Sequence, residues 1–115
     1  MSMVAPPLLR RLLPIALATA MLTTSAAAGT AEMLAEGRAL LEANCSRCHA
    51  IDGSDDSQHP EAPPFRTLSR QYPVSSLQEA LAEGIVTGHP DMPEFSAEPA
   101  QIAAIIAYLE SIQSQ

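Results

Sequence analysis

The sequence predicts an all-α fold of about three to four helices, joined by long loops and closed around a large apolar ligand. Three observations lead there. Apolar residues recur at helical spacing near residues 31–44 and again near 97–112, and no stretch alternates as a strand would. Between them lie long Gly-, Ser-, Asp- and Pro-rich loops. The chain has no tryptophan, two phenylalanines, two tyrosines and two cysteines. That is a thin core and too few cysteines for a disulfide scaffold, so something else is expected to fill the middle.

The first helix is expected over about Ala31 to Asn44. Met33, Leu34, Gly37, Leu40 and Leu41 share one face, with Glu32, Glu36 and Glu42 elsewhere. Gly37 costs about 1 kcal/mol against alanine inside a helix, which a close helix–helix crossing would explain. Residues 52–64 read as an irregular loop, where Pro60, Pro63 and Pro64 remove backbone donors. A second helix fits Leu77 to Glu83, with Ser76 as cap, Glu79 completing a capping box and Gly84 as the left-handed residue past its end. Residues 88–93, Gly-His-Pro-Asp-Met-Pro, read as irregular. The last helix is expected from about Ala97 to Ile112, capped by Ser96, with Pro99 in its first turn and Ile102, Ile105, Ile106, Leu109 and Ile112 as a continuous stripe.

A length of 115 residues allows one domain. Residues 1–28 read as a signal peptide: Arg10 and Arg11 are basic, Leu12 through Leu22 are apolar, and Ala26-Ala27-Ala28 supplies a cleavage site before Gly29. The arginine pair alone is a weak sign of twin-arginine export, and ordinary secretion is expected. The apolar run is short of the roughly 20 residues of a membrane span, although an uncleaved anchor is the rival reading. Residues 29–115 form the working domain, placed in the periplasm.

The formal net charge is −7, and every acidic residue lies beyond Gly29. Only Arg38, Arg47, Arg66 and Arg70 oppose them there, and the chain has no lysine. This balance argues against nucleic acid and against anionic membrane surfaces. It permits steering toward a partner with a basic docking surface, or serves solubility alone.

Cys45-Ser46-Arg47-Cys48-His49 is C-x-x-C-H, the pattern of covalent c-type haem attachment. On a turn of helix Cys45 and Cys48 project to one side and can reach two vinyl groups on one porphyrin edge. His49 follows and can offer one ring nitrogen to iron while the other donates to a carbonyl. The competing readings are poorer. A disulfide suits an oxidising compartment, but a thioredoxin-like dithiol lacks its βαβ surroundings, and zinc would find only His59 and His89 as further histidines.

For the sixth iron ligand, Met33 sits at an apolar helical position and reads as packing. Met92, between Pro90 and Pro93 on a loop remote from His49, is the candidate thioether. His89 and His59 are its rivals. His89 lies on the same loop, and bis-histidine ligation would lower the potential.

These residues, in this order, resemble the bacterial class I cytochromes c, small soluble monohaem proteins. The resemblance covers about Ala31 to Ile112: a helix with a glycine, C-x-x-C-H, a proline loop, Met92-Pro93 and a terminal helix carrying Ala107-Tyr108-Leu109. It implies the cytochrome c fold around one covalently bound haem c, with the first and last helices crossing near Gly37 and Tyr108. It also implies that Pro63 offers its carbonyl to the His49 ring. There are departures: the family's P-x-L is Pro63-Pro64-Phe65 here, Leu41 stands where an aromatic is frequent, and no tryptophan can bind a propionate. Arg66, Arg70 and Tyr72 are substitutes for that last role, against a default of surface solvation for the arginines.

The expected function is one-electron carriage by outer-sphere transfer, with haem iron held by His49 and Met92, among redox partner proteins. No nucleophile, acid–base pair or phosphate loop stands out, so no enzyme activity is expected. Ile51, Phe65, Leu68, Leu81, Ile85, Phe95, Ile105 and Leu109 are candidate pocket residues. A monomer is expected. The alternatives are a haem subunit docked on a periplasmic dehydrogenase or oxidase, and a gas- or peroxide-reactive haem protein with an open sixth site.

Overall fold

The computed structural model describes Met1, residues 16–86 and residues 89–114. Three α-helices occur among them: α1 (Ala16–Asn44), α2 (Leu77–Glu83) and α3 (Pro99–Ser111). Two 3-10 turns, Phe65–Arg70 and Val74–Ser76, lie between α1 and α2. No strand forms among the described residues; the nearest thing is one antiparallel bridge between Ile85 and Phe95. The chain divides into two compact units, Met1–Thr30 and Ala31–Gln115. Arg10, Arg11 and the start of the apolar run lie outside the described residues. None of the described helices is long and apolar enough to cross a membrane.

Helix α1 begins well before the expected Ala31. The sequence between Ala16 and Thr30 is rich in alanine, the strongest helix former, and contains no proline to stop it. Its far end is as expected, at Asn44. The glycine is explained by what faces it. A Cβ on Gly37 would run into the backbone carbonyl of Ala104 and approach the Cβ of Tyr108 to 2.9 Å. Helices α1 and α3 therefore cross with backbone against backbone, and hydrogen is the only side chain that fits.

Helix α3 starts two residues later than expected, and its cap is Glu98 instead of Ser96. Pro99 occupies the first helical position and holds the preceding residue extended, at φ −75° and ψ 157°. Glu98 must therefore be the flanking residue. Its carboxylate accepts from the backbone at Gln101, and the Glu98 N–H in turn donates to Gln101 Oε1 at 3.0 Å. Helix α2 has the expected bounds, but Ser76 does not cap it. Ser76 belongs to the 3-10 turn that runs straight into α2, so it has helical angles (φ −67°, ψ −13°), and its hydroxyl donates backwards to Pro73 O at 2.7 Å. Gly84 ends α2 with φ +104°, a conformation that L side chains rarely adopt.

The core of residues 31–115 gathers on α3. Ile102, Ile105, Ile106, Tyr108 and Leu109 are buried there with Leu41 of α1, Ile51, Phe65 and Leu68, Val74, and Leu81 of α2. The 52–64 loop is irregular, as expected. It is pinned by side chains: Asp55 accepts from the N–H groups of Ile51 and Asp52, and Ser57 accepts from Ala50 N–H at 3.0 Å. The loop from Ile85 to Phe95 is closed at its base by Ile85 N–H donating to Phe95 O at 2.8 Å and Ala97 N–H donating to Leu81 O at 2.9 Å.

Candidate haem-attachment site

The C-x-x-C-H segment continues α1 by one more turn. Cys45 N–H donates to Leu41 O at 2.8 Å, Cys48 N–H to Cys45 O at 3.1 Å, and His49 N–H to Cys45 O at 2.9 Å. This is the helical turn that the spacing requires. Both cysteines are free thiols and half-buried. Burial pushes the Cys45 thiol up to about 11. A redox dithiol needs the reverse, a thiol whose pKa is lowered toward neutrality. With Cys45 packed against the core, the turn suits thioether formation at a haem edge better than redox dithiol chemistry.

His49 is held from two directions. Its Nδ1 lies 2.9 Å from the carbonyl of Pro63, 14 residues along the chain. A carbonyl can only accept, so in the neutral ring Nδ1 carries the proton and Nε2 offers its lone pair to a metal. The ring also lies on that of Phe65, with centroids 4.5 Å apart and planes inclined by 26°. The donor set thus fits a haem: two attachment thiols, one imidazole of fixed tautomer, and apolar surroundings. Of the eight expected pocket residues, Ile51, Phe65, Leu68, Leu81, Ile105 and Leu109 belong to the buried core and Phe95 packs against it, whereas Ile85 is outside that cluster and pairs with Phe95 through the backbone.

Met92 is half-buried on the closed loop, and its N–H donates to His89 O at 3.2 Å across a turn. The two rival histidines are engaged at the surface. His89 Nε2 is 2.6 Å from Glu61 Oε2, and His59 Nε2 is 3.3 Å from Asp91 Oδ2. The two imidazoles meet edge to face at 5.5 Å. His59 Nδ1 accepts from Glu61 N–H at 3.2 Å, which leaves Nε2 to donate toward Asp91. Both are therefore more than solvated loop residues, as is Arg66. Its guanidinium donates to Asp55 O and its side chain is only 20% exposed. Arg70 reaches Ser114 Oγ at 3.4 Å, and Tyr72 is at the surface, 36% exposed.

Sequence reading missed a polar network beside the helix crossing. Arg38 of α1 grips Asp52 with two bonds, Nε to Oδ1 at 2.9 Å and Nη2 to Oδ2 at 3.0 Å. The Tyr108 hydroxyl of α3 donates to Asp52 Oδ1 at 2.8 Å and shares that proton with Ile51 O at 3.0 Å. Asp52 is held below its ordinary value, first by Arg38 and then by Tyr108, and Tyr108 is pushed up to about 12 by burial and by Asp52. The network ties both crossing helices to the residues that leave the C-x-x-C-H turn. Also missed was Gln113, whose Nε2 donates to Phe65 O at 2.8 Å. Asp52 and Tyr108 are 56 residues apart, and no spacing rule connects them.

The family profile described as Cytochrome c matches residues 34–113, most of the chain. Searches of curated proteins and of solved structures gave no match. The matched span contains the C-x-x-C-H turn, the Pro63 carbonyl, the Met92 loop and α3. This all-α chain belongs to the cytochrome c family, whose domains carry covalent haem c and transfer electrons.

Proposed function

We propose that the protein is a one-electron carrier that works by outer-sphere transfer, with His49 and Met92 as the two axial ligands of a haem c attached through Cys45 and Cys48. Haem c supplies a reversible one-electron couple. The chain's own residues supply the rest. The Pro63 carbonyl keeps the proton on His49 Nδ1, the Ile85–Phe95 closure presents Met92, and the core keeps water from the cofactor. The observation that carries the reading is the 2.9 Å contact between His49 Nδ1 and Pro63 O, which leaves Nε2 as a ready ligand. The engagement of His89 Nε2 with Glu61 supports Met92 over His89 as the partner ligand.

The same reading includes export. Residues 1–28 direct secretion and are removed, and residues 29–115 act in the periplasm as a monomer. Beyond residue 28 the acidic excess favours a redox partner with a basic docking face.

The test is a pair of absorption spectra of the full-length chain made with a haem-maturation system, together with its mass. Covalent haem, a weak long-wavelength sulfur-to-iron band lost in Met92→Ala, and a mass beginning at Gly29 are the expected results. Haem without that band would move ligation to His89, or open the sixth site to gases and peroxide. Rapid carbon monoxide binding by the ferrous protein would favour the open site. Recovery in a stable complex with a dehydrogenase or oxidase would make it a docked subunit.

A further inference from the structure

The face of the His49 ring has a partner that ligation itself does not require. We propose that Phe65 is a positioning residue for the axial imidazole: its ring fixes the rotation of the His49 plane, and so the orientation in which the imidazole meets the haem. The proposal rests on reading His49 as an axial ligand.

The hydrogen bond from Nδ1 to Pro63 O restrains rotation of the imidazole about Cβ–Cγ only softly, because Nδ1 lies close to that axis and a moderate swing merely bends the bond. The Phe65 ring removes this freedom. At 4.5 Å between centroids and 26° between planes, it lies flat against the imidazole, where rotation of His49 would drive an edge into it. A stop is only as good as its own fixation, and Phe65 is held on both sides of its side chain. Its N–H donates to Ala50 O at 2.9 Å and its carbonyl accepts from Gln113 Nε2 at 2.8 Å. Its side chain is buried in the core with Ile51 and Leu68. Pro63 and Phe65 are two residues apart, with only the stiff Pro64 between them. One short segment therefore supplies both the acceptor for the ring's N–H and the wall for its face. Gln113 lies beyond α3 and ties that segment to the C-terminus through a second bond from Nε2 to Leu109 O at 2.7 Å. The stack has an electronic consequence as well. An aromatic face favours a more positive neighbour, so it stabilises the oxidised state and lowers the potential relative to an aliphatic side chain.

The test compares the haem-loaded full chain with Phe65→Leu and Phe65→Tyr by proton NMR of the four haem methyl groups. Shifts of the ferrous protein are subtracted from those of the ferric one to remove ring-current effects. The order and spread of the methyl shifts report the orientation of the axial ligands. Phe65→Leu is expected to change that order or spread and to raise the potential, with the sulfur-to-iron band kept. Phe65→Tyr, which retains the ring, is expected to preserve the wild-type pattern. An unchanged pattern and potential in Phe65→Leu overturn the proposal, as does an altered pattern in Phe65→Tyr matching that in Phe65→Leu. If Phe65→Leu does not hold haem, the wild-type ferric protein decides. Overhauser contacts between the Phe65 and His49 rings are expected there, and their absence overturns the stack. A wild-type chain without covalent haem would defeat the carrier reading itself, before any variant is compared.

Discussion

The two residues proposed as iron ligands are held by different physics. His49 is placed by buried backbone: its turn continues α1, its ring donates to Pro63 O, and its face rests on Phe65, itself anchored through both backbone groups. Met92 sits on a loop closed at its base by two backbone bonds and tethered near its tip by two surface pairs, His89 with Glu61 and His59 with Asp91. The carboxylates of those pairs are about 70% exposed. Exposed pairs of this kind contribute little, about 0–1 kcal/mol each. The histidine side thus inherits the stability of the whole core, whereas the methionine side opens locally at much lower cost. Any loss of ligation should begin at Met92.

The largest expected effect comes from the helix crossing that underlies the histidine side. Gly37→Ala gains up to about 1 kcal/mol in helix propensity, but its Cβ would collide with the Ala104 carbonyl, and neither backbone can step aside cheaply. The clash should win, with a net loss of about 2–4 kcal/mol, read as a lower thermal midpoint of the haem-loaded protein. An unchanged midpoint would mean that the two helices do not cross in backbone contact.

A smaller loss, about 1–2 kcal/mol, is expected for Asp52→Asn, which weakens the link to Arg38 and Tyr108. The figure is kept low because the Asp52 side chain is 41% exposed. Its pH dependence sharpens the point. Folding lowers the Asp52 pKa from its ordinary 3.8. The stabilisation is therefore complete above the unfolded value and is lost as the pH falls through the folded one. Denaturant titrations should show wild type and Asp52→Asn far apart at pH 7 and converging below about pH 4. A gap that persists at low pH would assign the effect to packing.

The smallest effect on stability, within about 1 kcal/mol, belongs to the double variant His59→Ala, His89→Ala. Its kinetic signature should be larger. Displacement of Met92 by added imidazole, followed by loss of the sulfur-to-iron band, is expected to be several-fold faster. An equal rate in wild type would break the comparison, because the surface pairs would then do nothing to hold the loop.

Local rules explain how much of this was legible beforehand. The bounds of α2, the end of α1 and the irregular 52–64 loop follow from residues close together in sequence. The misreadings were also local and had local causes. Pro99 forces Glu98 outside α3 and so displaces the cap from Ser96, and the 3-10 turn before α2 takes Ser76 into helical angles. Helix α1 starts earlier than expected because residues 16–28 read as leader and not as helix.

The sequence by itself determined the all-helical architecture, the attachment turn and the need for a small residue at position 37. Each rests on helical periodicity, on the reach of neighbouring side chains or on the intrinsic cost of a glycine. Only the tertiary structure decided which atoms of α3 meet Gly37, which donors hold Asp52, that Phe65 lies on His49, and that His59 and His89 pair with carboxylates. Those partners lie between 14 and 71 residues apart along the chain. No propensity or spacing connects groups at that separation; they meet only because the two helices cross and the loops close over them.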